Sequence, residues 1–414
     1  AMRFQSGSDG NADKGKDKMK NRVMTKGLVA AVAALAALAV RADAPEVVHA
    51  KDYGFNASNA TEAIQKAIDT GAKTVVIDAM PTPWYINPPK LRSGLHLKFE
   101  KGAKVFADPF TFEQFKHTAL INVKDVDNVV VEGSGTGPDD ALVGSFPTFE
   151  ERSKYCHVDE ELQDGVGTAN ARNTVIRNLR IANCGRDGVY LGGWDRDRAS
   201  INTLVENVDL NENHRQGCSI VNCIGATFRH VTFRNTRGTE PTAGLDIEPS
   251  YDVQPLEDIL IEDCEFGNND GGGLVMPMCS IYPIRVTVRR CHFKPERGRC
   301  AIDVMPRGPT YAKGKGRPDV HILVEDSTIE GYENAPAIDF LYAPLFDCTF
   351  RNLKIRQVPG RATWMYKRRC SPVEIVFNRE HNGAFPSERC GLLKFENVTV
   401  EGYLTPVFVR LERR

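Results

Sequence analysis

The 414-residue chain is long enough for two or three average domains or for one elongated repeat. Its 53 Lys and Arg are balanced by 54 Asp and Glu, so a net charge of -1 supplies no overall field to attract nucleic acid or an anionic membrane. An apolar share of 41% supports a core, while 35 Gly and 23 Pro fit many turns between short strands better than a helical bundle.

In chain order, residues 1–22 are polar, Lys-rich and aperiodic, and read as a disordered extension or the product of a misassigned start. Residues 23–44 read differently. The run "GLVAAVAALAALAV" at 27–40 follows Lys20, Arg22 and Lys26 and leads into small residues around Ala42 and Ala44. A basic segment, a short apolar stretch and a small-residue cleavage site describe a secretory signal, whereas a membrane span needs about 20 apolar residues. The expected mature protein, 45–414, is secreted or periplasmic, with no stable membrane insertion once the leader is cleaved. The excursion 138–165 has no repeat pattern, and its position ahead of the acid-bearing segments leaves open whether it folds over a groove as a lid.

A repeat occupies the middle of the chain. "GVYLGG" (188), "GCSIVN" (217), "GLDIEP" (244), "GLVMPM" (273) and "AIDVMP" (301) start 29, 27, 29 and 28 residues apart, and "AIDFLY" (337) follows after 36. A second alternating segment follows each of the first five, as in "NTLVENVDL" (202) and "PIRVTVRRCHF" (283). Period two marks strands, and strands repeating at this length without helices predict an all-β parallel solenoid over 45–414. Each coil buries its apolar interior only against its neighbours. The second strands align Leu179, Val208, Val231, Cys264, Cys291 and Ser327 in one inward column, so the cysteines there are expected to be small core residues rather than disulfides. Asn183, Asn235 and Asn268 predict a partial Asn ladder at a turn, satisfying buried backbone groups.

The segment "AKDYGFNASNATEAIQKAIDTGAKTVVI" (50–77) resembles the opening of the pectate-lyase-like superfamily. That resemblance, which extends over nearly all of 50–414, implies a single-stranded right-handed parallel β-helix with an N-terminal capping helix at about 60–70. It implies a polysaccharide-active protein without selecting a reaction, since the fold hosts hydrolases, lyases, epimerases and phage depolymerases. "GRDGVY" and "NHRQGCSIVN" are similar to coils of alginate C5-epimerases, which implies that Tyr190 and His214 would handle a sugar proton. The Asp-Pro-His motif of those enzymes is absent, as are the Gly-His-Gly and Arg-Ile-Lys motifs of polygalacturonases.

The first strands expose two outward columns: Tyr190, Ser219, Asp246, Val275, Asp303, Asp339, and Gly192, Val221, Glu248, Pro277, Met305, Leu341. Asp246 and Glu248 are expected about 6.6 Å apart along their strand, and Asp303 about 9.6 Å away across two rungs. Such spacings suit glycoside cleavage, in which carboxyls about 5–5.5 Å apart retain and about 6.5–9.5 Å apart invert configuration. The expected catalytic set is therefore Asp246, Glu248 and Asp303, without a required cofactor. Alternatively, His214 or Tyr190 is the base of a uronate lyase or epimerase, Arg215 stabilises the anion, and the acids hold Ca²⁺. A third reading is a non-catalytic glycan binder, and a fourth a purely structural solenoid. Candidate polysaccharide contacts are Asp339, Arg186, the edge aromatics Trp194 and Tyr251, and Arg307 in a basic Gly-rich loop.

Overall fold

The computed structural model describes residues 44–158, 160–193, 198–251, 253–278, 282–306, 319–341, 346–363, 370–377, 391–403 and 409–413. The chain divides into two compact units, Ala1–Ala44 and Pro45–Arg414. The expectations for the extension 1–22 and for all but the last residue of the leader 23–44 fall outside the described residues. Among the described residues no helix is long and apolar enough to cross a membrane.

From Pro45 the chain winds as a solenoid in which every strand pairing between described residues is parallel. One wall is a sheet of ten strands stacked in sequence order. They are β1 (Ala119–Lys124), β2 (Asp164–Ala169), β3 (Asp187–Leu191), β4 (Gln216–Ile220), β5 (Leu245–Ile247), β6 (Leu274–Met278), β7 (Ile302–Pro306), β8 (Ile338–Leu341), β9 (Val373–Phe377) and β10 (Val409–Arg413). The second strands of the coils, such as Ser200–Asn211 and Cys223–Arg234, build the remaining walls. One continuous core runs through the solenoid, with Phe233, Phe266 and Phe293 stacked at 4.6 and 4.5 Å between ring centroids. Helix α1 (Thr61–Asp69) sits where the capping helix was expected and buries Ala63, Ile64, Ala67 and Ile68 in that core. A solenoid end needs such a plug, because its terminal coil has no neighbour to cover it.

The corners are made by residues in the left-handed region. Asn178, Asn207, His230, Asp263, Arg290, Asp326, Asn352 and Asn397 occupy the same corner of successive coils with φ between 50° and 54°. Asn and Asp tolerate this conformation best, which accounts for their abundance there. Asn183, Asn235 and Asn268 form another such column, interrupted by Glu212, with φ of 54–60°. The expected ladder is corrected here. Asn268 donates to Asn235, and Asn235 to Asn211, on the outside of the turn. The buried backbone groups are satisfied by the next residue along: Asn213 accepts from the Cys184 N–H at 3.1 Å and Asn269 from the Thr236 N–H at 3.0 Å. In the following coil the equivalent position is Glu296, which accepts from the Asn269 N–H at 2.7 Å.

Cys264 and Cys291 lie in the predicted inward column, and all nine cysteines among the described residues are buried. Beside that column, on the outside, lies a feature that coil-by-coil reading missed. Lys98, Glu132, Arg177, Glu206, Arg229, Glu262, Arg289, Glu325, Arg351 and Glu396 pair rung to rung, strictly alternating in charge. Ion pairs connect Arg177 to Glu132 at 2.9 Å, Arg229 to Glu206 at 3.2 Å, and both Arg229 and Arg289 to Glu262 at 2.8 and 2.7 Å.

Candidate active site

The outward column has the expected register: Tyr190, Ser219, Asp246, Val275, Asp303 and Asp339 are successive partners, and Glu374 continues the row. Their strand neighbours Leu245, Ile247, Ile302, Val304, Ile338 and Phe340 lie in the core, so all three aspartates are on the wall opposite it. The expectation of an open acidic wall is nevertheless corrected. Asp246 is 0% exposed, Asp303 1% and Asp339 3%. Asp246 accepts from Gln216 Nε2 at 2.9 Å, and Gln216 in turn accepts from the Ala243 N–H at 2.8 Å. Burial, with Asp339 alongside, pushes the Asp303 carboxyl well above the ordinary carboxylate range, and its Oδ1 lacks a hydrogen-bond partner. Arg299 is 3.8 Å from its other oxygen.

A second cluster lies at the other end of the row, over β1 to β4, in which Asp164 is itself only 2% exposed and Glu161 is partly exposed. A cavity of about 260 Å³ is lined by His117, Asn122, Lys124, Asp164, Thr168 and Tyr190, above a floor of Gly167, Gly192 and Gly193. Glycine at 167 makes the notch, since the same column carries Asn122 on one side and Tyr190 on the other. Asp164 begins β2 one rung from Asp187, which begins β3. Arg186 joins Asp164 Oδ2 at 3.3 Å and Glu161 Oε2 at 3.0 Å, with its guanidinium 4.7 Å from the centre of the Tyr190 ring. Arg215 joins Glu161 Oε1 at 3.2 Å, Asp187 at 3.4 Å and Glu248 at 3.8 Å. Ser219 donates to Asp187 at 2.7 Å.

Four carboxyl groups, of Glu161, Asp164, Asp187 and Glu248, thus meet two guanidiniums, and the charge of Asp246 also acts on Arg215. Burial raises the pKa of Asp164 to about 6, with Arg186 opposing and Asp187 reinforcing the shift. Burial likewise pushes the Tyr190 hydroxyl up to about 12, so at neutral pH this phenol stays protonated.

The other expected residues fall as follows. His214 is not in the cavity: it is 2% exposed, with Nε2 at 3.0 Å from the His157 carbonyl and 3.1 Å from Thr239 Oγ1. Burial, then Arg152, hold its pKa at about 4, and a ring so enclosed cannot reach a sugar proton. Arg186, expected at the substrate edge, is 2% exposed and committed to carboxylates. Tyr251 lies partly buried in the turn after β5, its N–H bonded to Gln254. Trp194 and Arg307 lie outside the described residues. The excursion carries helix α2 (Phe149–Tyr155) and packs over the turns before β3 and β4.

Sequence reasoning missed Glu161, Asp164, Asp187, Gln216, His117 and Lys124. A signal existed for two of them: "DGVGTA" at 164 and "DGVYLG" at 187 are one repeat unit, each opening on an acid.

Among the described residues, ligand atoms converge only at His49, Asp78 and Glu100, far from this wall in sequence, where Lys51 Nζ already sits 2.9 Å from Asp78.

Residues 153–312 match a family profile described as right handed beta helix region. The chain is a right-handed parallel β-helix. Among solved structures this β-helix is similar to the A-module of the mannuronan C-5 epimerase AlgE6 of Azotobacter vinelandii, at 13% identity and a TM-score of 0.52, over 88% of this chain and 95% of that one. The AlgE4 A-module of the same organism gives 12%, 0.52, 88% and 99%. A tailspike mutant of E. coli bacteriophage HK620, in complex with a hexasaccharide, gives 13%, 0.51, 86% and 80%. No curated protein matches the sequence. At these identities the likeness is one of fold.

Proposed function

We propose that the protein is an exported polysaccharide-active enzyme, and that the reaction at the Tyr190 cavity is glycoside hydrolysis. The observation that carries this reading is Asp164, a carboxyl group lining the cavity with a pKa near 6, sharing the Arg186 guanidinium with a second, partly exposed carboxylate, Glu161. Asp164 gives its proton to the glycosidic oxygen as the C–O bond breaks, and Glu161 deprotonates the water that adds to the sugar carbon, or attacks that carbon itself. The uronate lyase or epimerase reading needs a free cation to hold an enolate-like anion. Arg186 and Arg215 are already engaged by carboxylates and His214 is enclosed, so that reading would turn to Lys124 on the cavity wall and has less support. The structures with TM-scores above 0.5 include polysaccharide-related proteins, and export follows from the basic, apolar and small-residue order at 20–44.

The test is incubation with a panel of plant, algal and bacterial polysaccharides. Hydrolysis releases new reducing ends with no ultraviolet-absorbing unsaturated uronate. Asp164→Asn and Glu161→Gln should each lower kcat by at least about 100-fold, the usual contribution of general acid–base catalysis. The wild-type kcat/KM should decline above pH about 6 as Asp164 loses its proton. An unsaturated product, or full activity in Asp164→Asn, overturns the proposal.

A further inference from the structure

We infer that the segment 145–164 is a pinned strap rather than a lid, and that His214 is a positioning residue holding it so that Glu161 stays on Arg186 and Arg215. This rests on the hydrolytic reading of the site. Three anchors fix the strap. Arg152 of α2 is buried without a carboxylate partner, and its guanidinium donates to the Glu212 carbonyl at 2.5 Å and the Arg237 carbonyl at 3.0 Å. Ser145 Oγ accepts from the Gly185 N–H at 3.0 Å and donates to the Gln163 carbonyl at 3.2 Å, tying the strap's two ends to the turn before β3. The third anchor is His214, whose Nε2–H points at the His157 carbonyl and Thr239 Oγ1, while Thr239 donates to the Glu160 carbonyl at 3.2 Å. His214 therefore holds the strap at His157 and, through Thr239, at Glu160, the residue just before Glu161. The grip is close-packed: a Cβ at Gly238, where φ is +142°, would lie 2.2 Å from the imidazole. A buried imidazole bonded to two backbone carbonyls, directly and through one hydroxyl, suits a clamp and not a base.

The clamp acts on the chemistry through charge. Glu161 helps neutralise Arg186, which faces Asp164 together with Asp187, Arg215, Tyr190 and Cys184. If Glu161 swings away, the guanidinium acts on Asp164 with less opposition, and the Asp164 carboxyl becomes more acidic.

The experiment compares wild type, His214→Ala, His214→Gln and Gly238→Ala on a hydrolysed polysaccharide, with amide hydrogen exchange measured on the same proteins. His214→Ala should speed exchange at 148–162 at least 10-fold without changing exchange in β5 to β8. It should lower kcat more than it raises KM, and move the basic limb of kcat/KM below that of wild type. Gly238→Ala should reproduce this, and His214→Gln, which keeps an N–H donor, should recover most of it. Protection at 148–162 unchanged in His214→Ala overturns the strap, whatever the activity. Faster exchange with an unmoved pH limb and unchanged kcat overturns the positioning role. A wild type that hydrolyses no glycan sinks the hydrolytic reading alone, because the exchange result stands apart from it.

Discussion

At the scale of single residues, the outer wall shows how a β-helix can hide acids that its repeat places on the outside. Asp246 and Asp303 have the predicted register and yet are sealed, while Asp164, three rungs from Asp246 and itself only 2% exposed, lines the cavity. Glu296 shows the cost of an acid inside. It occupies a position filled by Asn in earlier coils, its Oε1 has no partner, and burial raises its pKa to about 8. The sign follows directly. Because folding raises this pKa, the neutral acid's contribution to stability is complete below the unfolded value of about 4.3. It is lost as pH climbs through 8. Glu296→Gln should flatten that dependence, leaving the melting temperature near wild type at pH 5 and above wild type at pH 9. Thermal unfolding at the two pH values checks this, and equal shifts at both would rule out Glu296 as the titrating group.

At the scale of elements, the repeat was readable because alternation with period two survives in each coil, and its spacing gave the correct register from Tyr190 to Asp339. Exposure was not readable, because the segments that cover a strand's outer side come from turns whose paths no periodicity encodes. His214 illustrates the difference: its place before β4 was clear in the sequence, but the strap packed on it was not. The charged column was written in the sequence, in "VIRNL", "LVENV", "TFRHV", "LIEDC" and "TVRRC", but only across coils. Glu262 is its best-connected member, bonded by Arg229, Arg289 and Arg290. Its burial would raise the pKa, but the three guanidiniums prevail and hold it at about 2. The depressed pKa means stability that is present above the unfolded value and lost as pH falls toward 2. Glu262→Gln should cost about 1–3 kcal/mol near neutrality, with the deficit shrinking below pH 4. Chemical denaturation at pH 7 and pH 3 measures both, and an equal loss at the two values would show that packing rather than charge is responsible.

At the scale of the whole molecule, the solenoid has one core, one cap at α1 and a wall chemistry that changes along its length. Its stability is a sum over neighbouring coils, so local changes spread little beyond the adjoining turns. The site over β1 to β4 can therefore be altered by substitution without unwinding β6 to β9, which is what makes the exchange comparison of His214→Ala informative. Where the sequence resemblance pointed to a family of glycan-handling folds, the structure supports the architecture, and the hydrolysis proposed above rests on Asp164 and Glu161.

The ten-rung alternation of cation and anion has a consequence for how such a protein can grow or shrink. Duplicating or excising a single turn through recombination would set Arg against Arg or Glu against Glu at the junction, whereas gaining or losing two turns preserves opposites throughout. Length should thus change in even steps. A variant lacking one turn between residues 229 and 289 should fold less stably than one lacking two, although it keeps more of the parent's interior; equal or reversed midpoints in urea would show that parity is immaterial.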